Sequence, residues 1–180
     1  MDKPKLGYFD FDNYNRANGN LGNSQARGQA YASDGARDGT LQITSNRVTW
    51  GTGGTSGLMV IPPVANGEWE ADLTLGDSYP EMVFRHVDGN NFLLIGLVST
   101  GMECWKRLAG TYTKIGEKTG LTLSGTYRVK AKAILSAISF YLDSVWQFAV
   151  TETANQIGTG AGPRLRATNQ FFDNFLVRPA

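Results

Sequence analysis

The chain has 180 residues, 41% of them hydrophobic, and its 17 basic and 16 acidic residues leave a formal charge of +1. That length fits one domain with a proper core, which excludes wholesale disorder. The balanced charge lacks the basic excess of nucleic-acid binders, and a single cysteine, Cys104, excludes both an intrachain disulfide framework and a thiolate metal cluster.

The opening Met1-Asp2-Lys3-Pro4-Lys5-Leu6-Gly7 lacks the apolar stretch of a secretory leader, and no run approaches the ~18 apolar residues that span a bilayer. The expectation is synthesis in the cytoplasm, no signal peptide and no membrane insertion. Period-2 alternation dominates the chain, and no amphipathic helix stands out. Residues 8–11 read as a first strand. Residues 15–39 are rich in Gly, Asn, Ala, Ser and Arg, with Leu21 and Tyr31 as their only large apolar anchors. They read either as a long loop wrapped over sheet edges or as a docking arm that orders on a partner. Residues 51–57 are glycine-rich, but no Lys-Ser/Thr and no helix follow, so they form a surface loop rather than a phosphate loop.

Over residues 68–75, Trp69, Ala71, Leu73 and Leu75 fall on one face and Glu68, Glu70, Asp72 and Thr74 on the other. Such a strand buries one face and wets the other. Residues 82–87 and 92–99 flank the turn Asp88-Gly89-Asn90-Asn91, and residues 92–98 are apolar on both faces, as in a central strand. His86, the only histidine, lies mid-strand with no nucleophile motif around it. Beyond Gly101, residues 102–108 alternate, with Cys104 a small buried hydrophobe and Glu103, Trp105 and Arg107 in the other phase. If Arg85 shares their surface, then Arg85, Trp105 and Arg107 cluster there as groups able to hold a sugar ring and its hydroxyls. Tyr112, Tyr141 and Trp146 are further aromatic candidates; the alternative puts Trp105 and Trp146 in the core. Alternation continues through residues 127–133, with hairpin connections at Leu135-Ser136 and Asp143-Ser144. About a dozen strands at this spacing predict a single two-sheet sandwich over residues 1–180, with no repeat and no linker.

Three blocks carry a resemblance. The first is Asp12-Asn13-Tyr14-Asn15-Arg16-Ala17-Asn18-Gly19-Asn20-Leu21-Gly22, continuing into Gly28–Tyr31 and Gly39–Arg47. The second is Val83-Phe84-Arg85-His86-Val87-Asp88-Gly89-Asn90-Asn91-Phe92-Leu93, and the third is Phe171-Phe172-Asp173-Asn174-Phe175-Leu176-Val177. Together they resemble the concanavalin A-like (laminin G-like) jelly-roll superfamily, in the version found in bacteriophage minor tail and virion-surface proteins. Tyr14 replaces the usual Phe and Leu41 a common Trp, both apolar exchanges.

The resemblance implies an all-β, antiparallel two-sheet jelly roll with first and last strands paired, closing an otherwise open edge. It implies no required cofactor; several members of the superfamily hold a structural calcium ion, for which Asp10, Asp12 and Asp173 are the candidate ligands here. Laminarinase-type glycosidases of the superfamily line up acids on one strand as E-x-D-x-x-E or E-x-D-x-E. Here Glu68, Glu70 and Asp72 run E-x-E-x-D, and retaining hydrolysis needs two carboxyls about 5–5.5 Å apart. The leading expectation is a non-enzymatic, lectin-like protein of the virion surface, on tail or capsid exterior. Its partners would be host cell-surface glycans and other virion proteins in an oligomeric particle. The alternatives are a purely structural decoration or tail subunit, and a small β-glycan hydrolase.

Overall fold

The computed structural model describes residues 10–25, 28–33, 39–53, 57–60 and 64–180. Among these residues the chain forms strands β1 (Asp10–Asp12), β2 (Gly19–Asn20), β3 (Ala32–Ser33), β4 (Leu41–Thr44), β5 (Arg47–Trp50), β6 (Gly57–Val60), β7 (Gly67–Thr74) and β8 (Glu81–Asp88). They continue as β9 (Asn91–Val98), β10 (Gly101–Leu108), β11 (Thr111–Lys118), β12 (Thr126–Ile134), β13 (Ala137–Leu142), β14 (Val145–Thr151), β15 (Gly160–Leu165) and β16 (Phe171–Pro179). None of the described residues is helical, so no helix is long and apolar enough to cross a membrane.

The strands make two antiparallel sheets. One runs β14-β13-β12-β7-β16-β5-β4-β2 with β1 also beside β16, and the other runs β11-β10-β9-β8-β15-β6-β3. Their facing sides share one apolar core. Trp69, Ala71, Leu73, Val129, Ala131, Ala133 and Phe140 come from the larger sheet, and Met82, Phe84, Leu93, Ile95, Leu97, Met102 and Cys104 from the smaller. Cys104 is thus a core side chain, and burial pushes its thiol well above the usual range. The alternation expected for residues 68–74 and 127–133 is realised in β7 and β12, because each has one face in this core.

First and last strands do pair, with Phe11 opposite Leu176. They do not close a sheet edge, however. On one side β16 lies along β7, and on the other it is shared between β1 and β5, which meets it at Phe172. The last strand is therefore central. Tyr8 and Phe9, which the sequence assigns to the first strand, lie outside the described residues. The edge is managed by the Gly/Asn-rich segment, whose described parts lend β2 to the larger sheet and β3 to the smaller. Its expected anchors hold it: Leu21 and Tyr31 are buried, and the Tyr31 hydroxyl meets that of Tyr14 at 2.7 Å.

Turn chemistry matches the sequence. Asp143 and Ser144 both have positive φ, as a two-residue type I′ hairpin needs. Asp88 accepts bonds from the Asn90 amide and the Asn91 side chain and so fixes the β8–β9 turn.

Candidate ligand-binding site

The outer face of the smaller sheet is unusual because its centre is apolar. β9 buries Leu93, Ile95 and Leu97 inward, and its outward Phe92 and Leu94 join Val83 in a second cluster covered by Trp105. This explains a strand that is apolar on both faces. Register then builds rows across the sheet. Arg164, Glu81, Gly96 and Glu103 stand opposite one another on β15, β8, β9 and β10, followed by a row of Val83, Leu94, Trp105 and Lys114.

Gly96 has no side chain in the first of these rows, and a Cβ there would stand 3.1 Å from Glu81 Cγ. The gap opens a cavity of about 260 Å³ lined by Tyr79, Glu81, Leu94, Gly96, Val98, Glu103, Trp105, Tyr112 and Arg166. Ligand sites commonly run from about 300 Å³ upward, so this one suits a single ring better than a long polymer segment.

The walls are held firmly. Trp105 Nε1 donates to Glu103 Oε2 at 3.0 Å, and Lys114 Nζ donates to Glu103 Oε1 at 2.7 Å while lying 5.4 Å from the Trp105 ring centre. The indole plane is fixed by its own neighbour two residues back. On the opposite wall Arg164 Nη1 and Arg166 Nη2 both donate to the Glu81 carboxylate. The Tyr112 ring lies between the guanidiniums of Arg107 and Arg164, at 5.2 and 5.7 Å. An aromatic surface beside planar, preoriented donors and acceptors can take the C–H face of a sugar and its hydroxyls together.

Of the residues the sequence nominated, the structure brings Trp105 and Tyr112 together in this cavity. Arg107 stands behind Tyr112, but its guanidinium ties two turns, donating to Gly110 O and Gly89 O. Arg85 does not join them. A bulge between Phe84 and Asp88, with Arg85 at φ 49°, breaks the alternation and turns its side chain toward the opposite sheet. There the buried guanidinium donates to Ala65 O, Asn66 Oδ1 and Leu135 O. Tyr141 and Trp146 pair with each other on β13 and β14 of the larger sheet, with Lys130 Nζ 4.3 Å from the Tyr141 ring centre, and share no surface with Trp105. Glu103, read in the same phase as Trp105, also lines the cavity, while Glu81, Tyr79, Gly96 and Arg166 line it without having been nominated. Gly96 was the available signal, since glycine inside an apolar strand marks a close approach or a gap.

The acids of β7 are spent on an ionic ladder. Glu68 meets Lys132 at 2.9 Å, Glu70 meets Arg178 at 2.9 Å, and Asp72 meets Arg128 at 3.2 Å. Burial acts to raise Glu68, but its bond to Lys132 and the nearby Lys130 and Arg178 charges outweigh this and hold it below the usual carboxylate range. A general acid needs the reverse. His86 stacks on Phe92 on another part of the sheet, 6.0 Å between ring centres.

Asp12 does not suit a calcium ion here. Its two oxygens take Arg16 Nη1 and Nη2 at 2.8 and 2.9 Å, and Oδ1 also accepts the Tyr14 amide. Asp173 is half-buried and raised by that burial, with Asp72 and Asp12 adding to the effect. Among the described residues no three or more His, Cys, Asp or Glu side chains are placed to share a metal. The Asp10 side chain lies outside the described set.

No family model matches the chain, and no curated protein matches it. Solved structures do. The carbohydrate binding module CBM66 from Bacillus subtilis superposes with a TM-score of 0.67 at 16% identity, over 82% of this chain and 94% of that one. Galectin LEC-6 from Caenorhabditis elegans gives 0.52 at 12% identity, over 66% and 88%. The GH43 BlXynB protein from Bacillus licheniformis gives 0.57 at 12% identity, over 99% of this chain but 40% of that one. At such identities the likeness is one of fold: the chain is an antiparallel jelly-roll sandwich of the kind seen in carbohydrate-binding modules and galectins.

Proposed function

We propose that this chain is a non-enzymatic, lectin-like domain that binds a sugar residue in the cavity between Glu81 and Trp105. The observation that carries the reading is a ring-sized recess whose aromatic wall is locked by Glu103 and whose polar wall is an Arg–Glu–Arg cluster. The fold likeness to a module named for carbohydrate binding supports it. Truncating an aromatic anchor in such a site costs about 2 kcal/mol or more. Trp105→Ala is therefore expected to weaken glycan binding by about thirtyfold or more, measured by calorimetry on the best ligand from a glycan array. Trp146→Ala, on the opposite sheet, is the control and leaves affinity within about twofold. The proposal fails if no glycan binds, or if Trp146→Ala abolishes binding and Trp105→Ala does not.

From the resemblance of the three sequence blocks we infer that this activity belongs to a phage virion, at the tail or capsid exterior, facing host-envelope glycans. Mass spectrometry of purified particles tests that placement. A structural-subunit role, docked on other virion proteins, is favoured by one feature. Val87, Leu108, Ile134, Leu135 and Ile157 are exposed on the turns at one end of the sandwich. Those turns are knitted together by Arg85, Arg107 and Asn155. Particles that keep this chain after Trp105→Ala, but lose it after Leu135→Asp with Ile157→Asp, would assign docking to that end.

A further inference from the structure

The charges around the cavity are unevenly divided. Toward β11, Glu103 and Glu117 share Lys114, two carboxylates to one ammonium. Toward β15, the guanidiniums of Arg164 and Arg166 both bond to Glu81. Arg107, which stands beside Tyr112, donates to the backbone carbonyls of Gly110 and Gly89 and adds a further positive charge. The recess is therefore polarised, negative behind the indole and positive behind Tyr112.

Arg166 is the member of the positive cluster that lines the recess, with about a third of its side chain exposed. It reaches Glu81 only through Nη2, at 3.1 and 3.4 Å, and among the described residues its buried Nε has no acceptor. Burial pulls this guanidinium down from its usual range. A desolvated cation with half a counter-ion and an unused donor is relieved by a planar anion that the fork can grip through two N–H groups.

From this we infer that the cavity selects a sugar residue carrying a carboxylate, a uronic or sialic acid, with the carboxylate on Arg166 and the ring against Trp105. The inference rests on the sugar-binding reading and adds the ligand class to it. A neutral sugar leaves the exposed part of the Arg166 guanidinium in the recess without a charged partner; a carboxylate supplies one.

The test is a glycan array of matched pairs, identical except that one member carries a uronate or sialate carboxylate and the other lacks it, with sulfated counterparts as a third arm. Calorimetry on the best pair follows, using the full chain. The acidic member is expected to bind at least about tenfold tighter, the usual strength of a charge-assisted pair, and to lose affinity as salt rises. Arg166→Gln is expected to bring the acid-to-neutral ratio close to one, and Arg166→Lys to restore only part of it, because an ammonium keeps the charge but not the fork. Urea midpoints of both variants report whether the fold survives. Equal or tighter binding of neutral members, still lost in Trp105→Ala, overturns the inference and leaves the sugar site standing. Preference for the sulfated members overturns the carboxylate assignment. Absence of binding across all three arms overturns both.

Discussion

Replacing Arg85 with Met separates its structural role from recognition. The guanidinium makes three bonds, at 2.9 Å to Ala65 O, 2.9 Å to Asn66 Oδ1 and 2.6 Å to Leu135 O, and so joins the smaller sheet to two loops of the larger. Bonds involving a charged group contribute about 1.5–3 kcal/mol each. Against this stands the several-kcal/mol cost of burying the cation, whose Nη1 finds no acceptor among the described residues. Methionine keeps much of the stem and the unfavourable positive φ, and it leaves Ala65 O and Leu135 O to whatever water reaches them. The net loss is expected at about 2–4 kcal/mol, read from urea unfolding as a lower midpoint with an unchanged slope. For a chain of this size each kcal/mol moves Tm by about 2–4 °C. Glycan affinity per folded molecule stays as in the parent. A midpoint within about 0.5 kcal/mol of the parent refutes the cross-link, and lost binding at full stability returns Arg85 to the recognition surface.

Two further perturbations test the packing and the electrostatics. Gly116→Val on β11 is expected to destabilise by about 1–3 kcal/mol, because even a Cβ there stands 2.5 Å from Val150 and 2.9 Å from Phe148, where the two sheet edges close on each other; an unchanged thermal midpoint would show that this edge is loose. Glu152 supplies the pH dependence. Burial acts to raise it, but the Ala154 amide and Lys106 Nζ, at 2.8 and 2.9 Å, hold it below the usual range. Its stabilising contribution is therefore present above the unfolded carboxylate value of about 4.3 and fades as pH falls through the folded value. Glu152→Gln should lose about 1–2 kcal/mol at pH 7, with the gap narrowing as pH is lowered toward 3, by urea unfolding at both; a gap equally large at pH 3 contradicts the assignment.

Alternation made most of the strands legible. β7 and β12 read correctly because each has one dry and one wet face, and the β7 acids face Lys132, Lys130 and Arg128 in register. It failed where a bulge resets the phase. Arg85 keeps the spacing of Val83 and Val87, and nothing in that spacing reveals that residue 85 adopts φ 49°. Asn174, at the same φ, resets β16, so that Phe172 and Phe175 both reach the core although three positions separate them. Tyr141 and Trp146 were matched to Trp105 by residue type alone, and sheet order, which sequence does not encode locally, sets them on opposite surfaces.

The blocks that carried the family resemblance share one physical character. Asp12 holds Arg16 and the Tyr14 turn, Arg85 and Asp88 fix a bulge and the hairpin after it, and Asn174 donates to Asp72 across β16 and β7. All are buried or turn-forming polar groups at places where the backbone departs from a regular strand. Such places admit few residue types, which makes them recognisable at a distance. The cavity is built differently. Leu94, Gly96, Glu103 and Trp105 lie inside β9 and β10, where either face accepts many side chains, and they form a recess only because three strands place Glu81, Gly96 and Glu103 in one row. Motifs in this chain therefore report how the sandwich is stapled, while the recess is built from residues that look ordinary one strand at a time. Relatives that share all three blocks should accordingly differ in glycan preference whenever the residues matching Gly96, Glu103 or Arg166 differ.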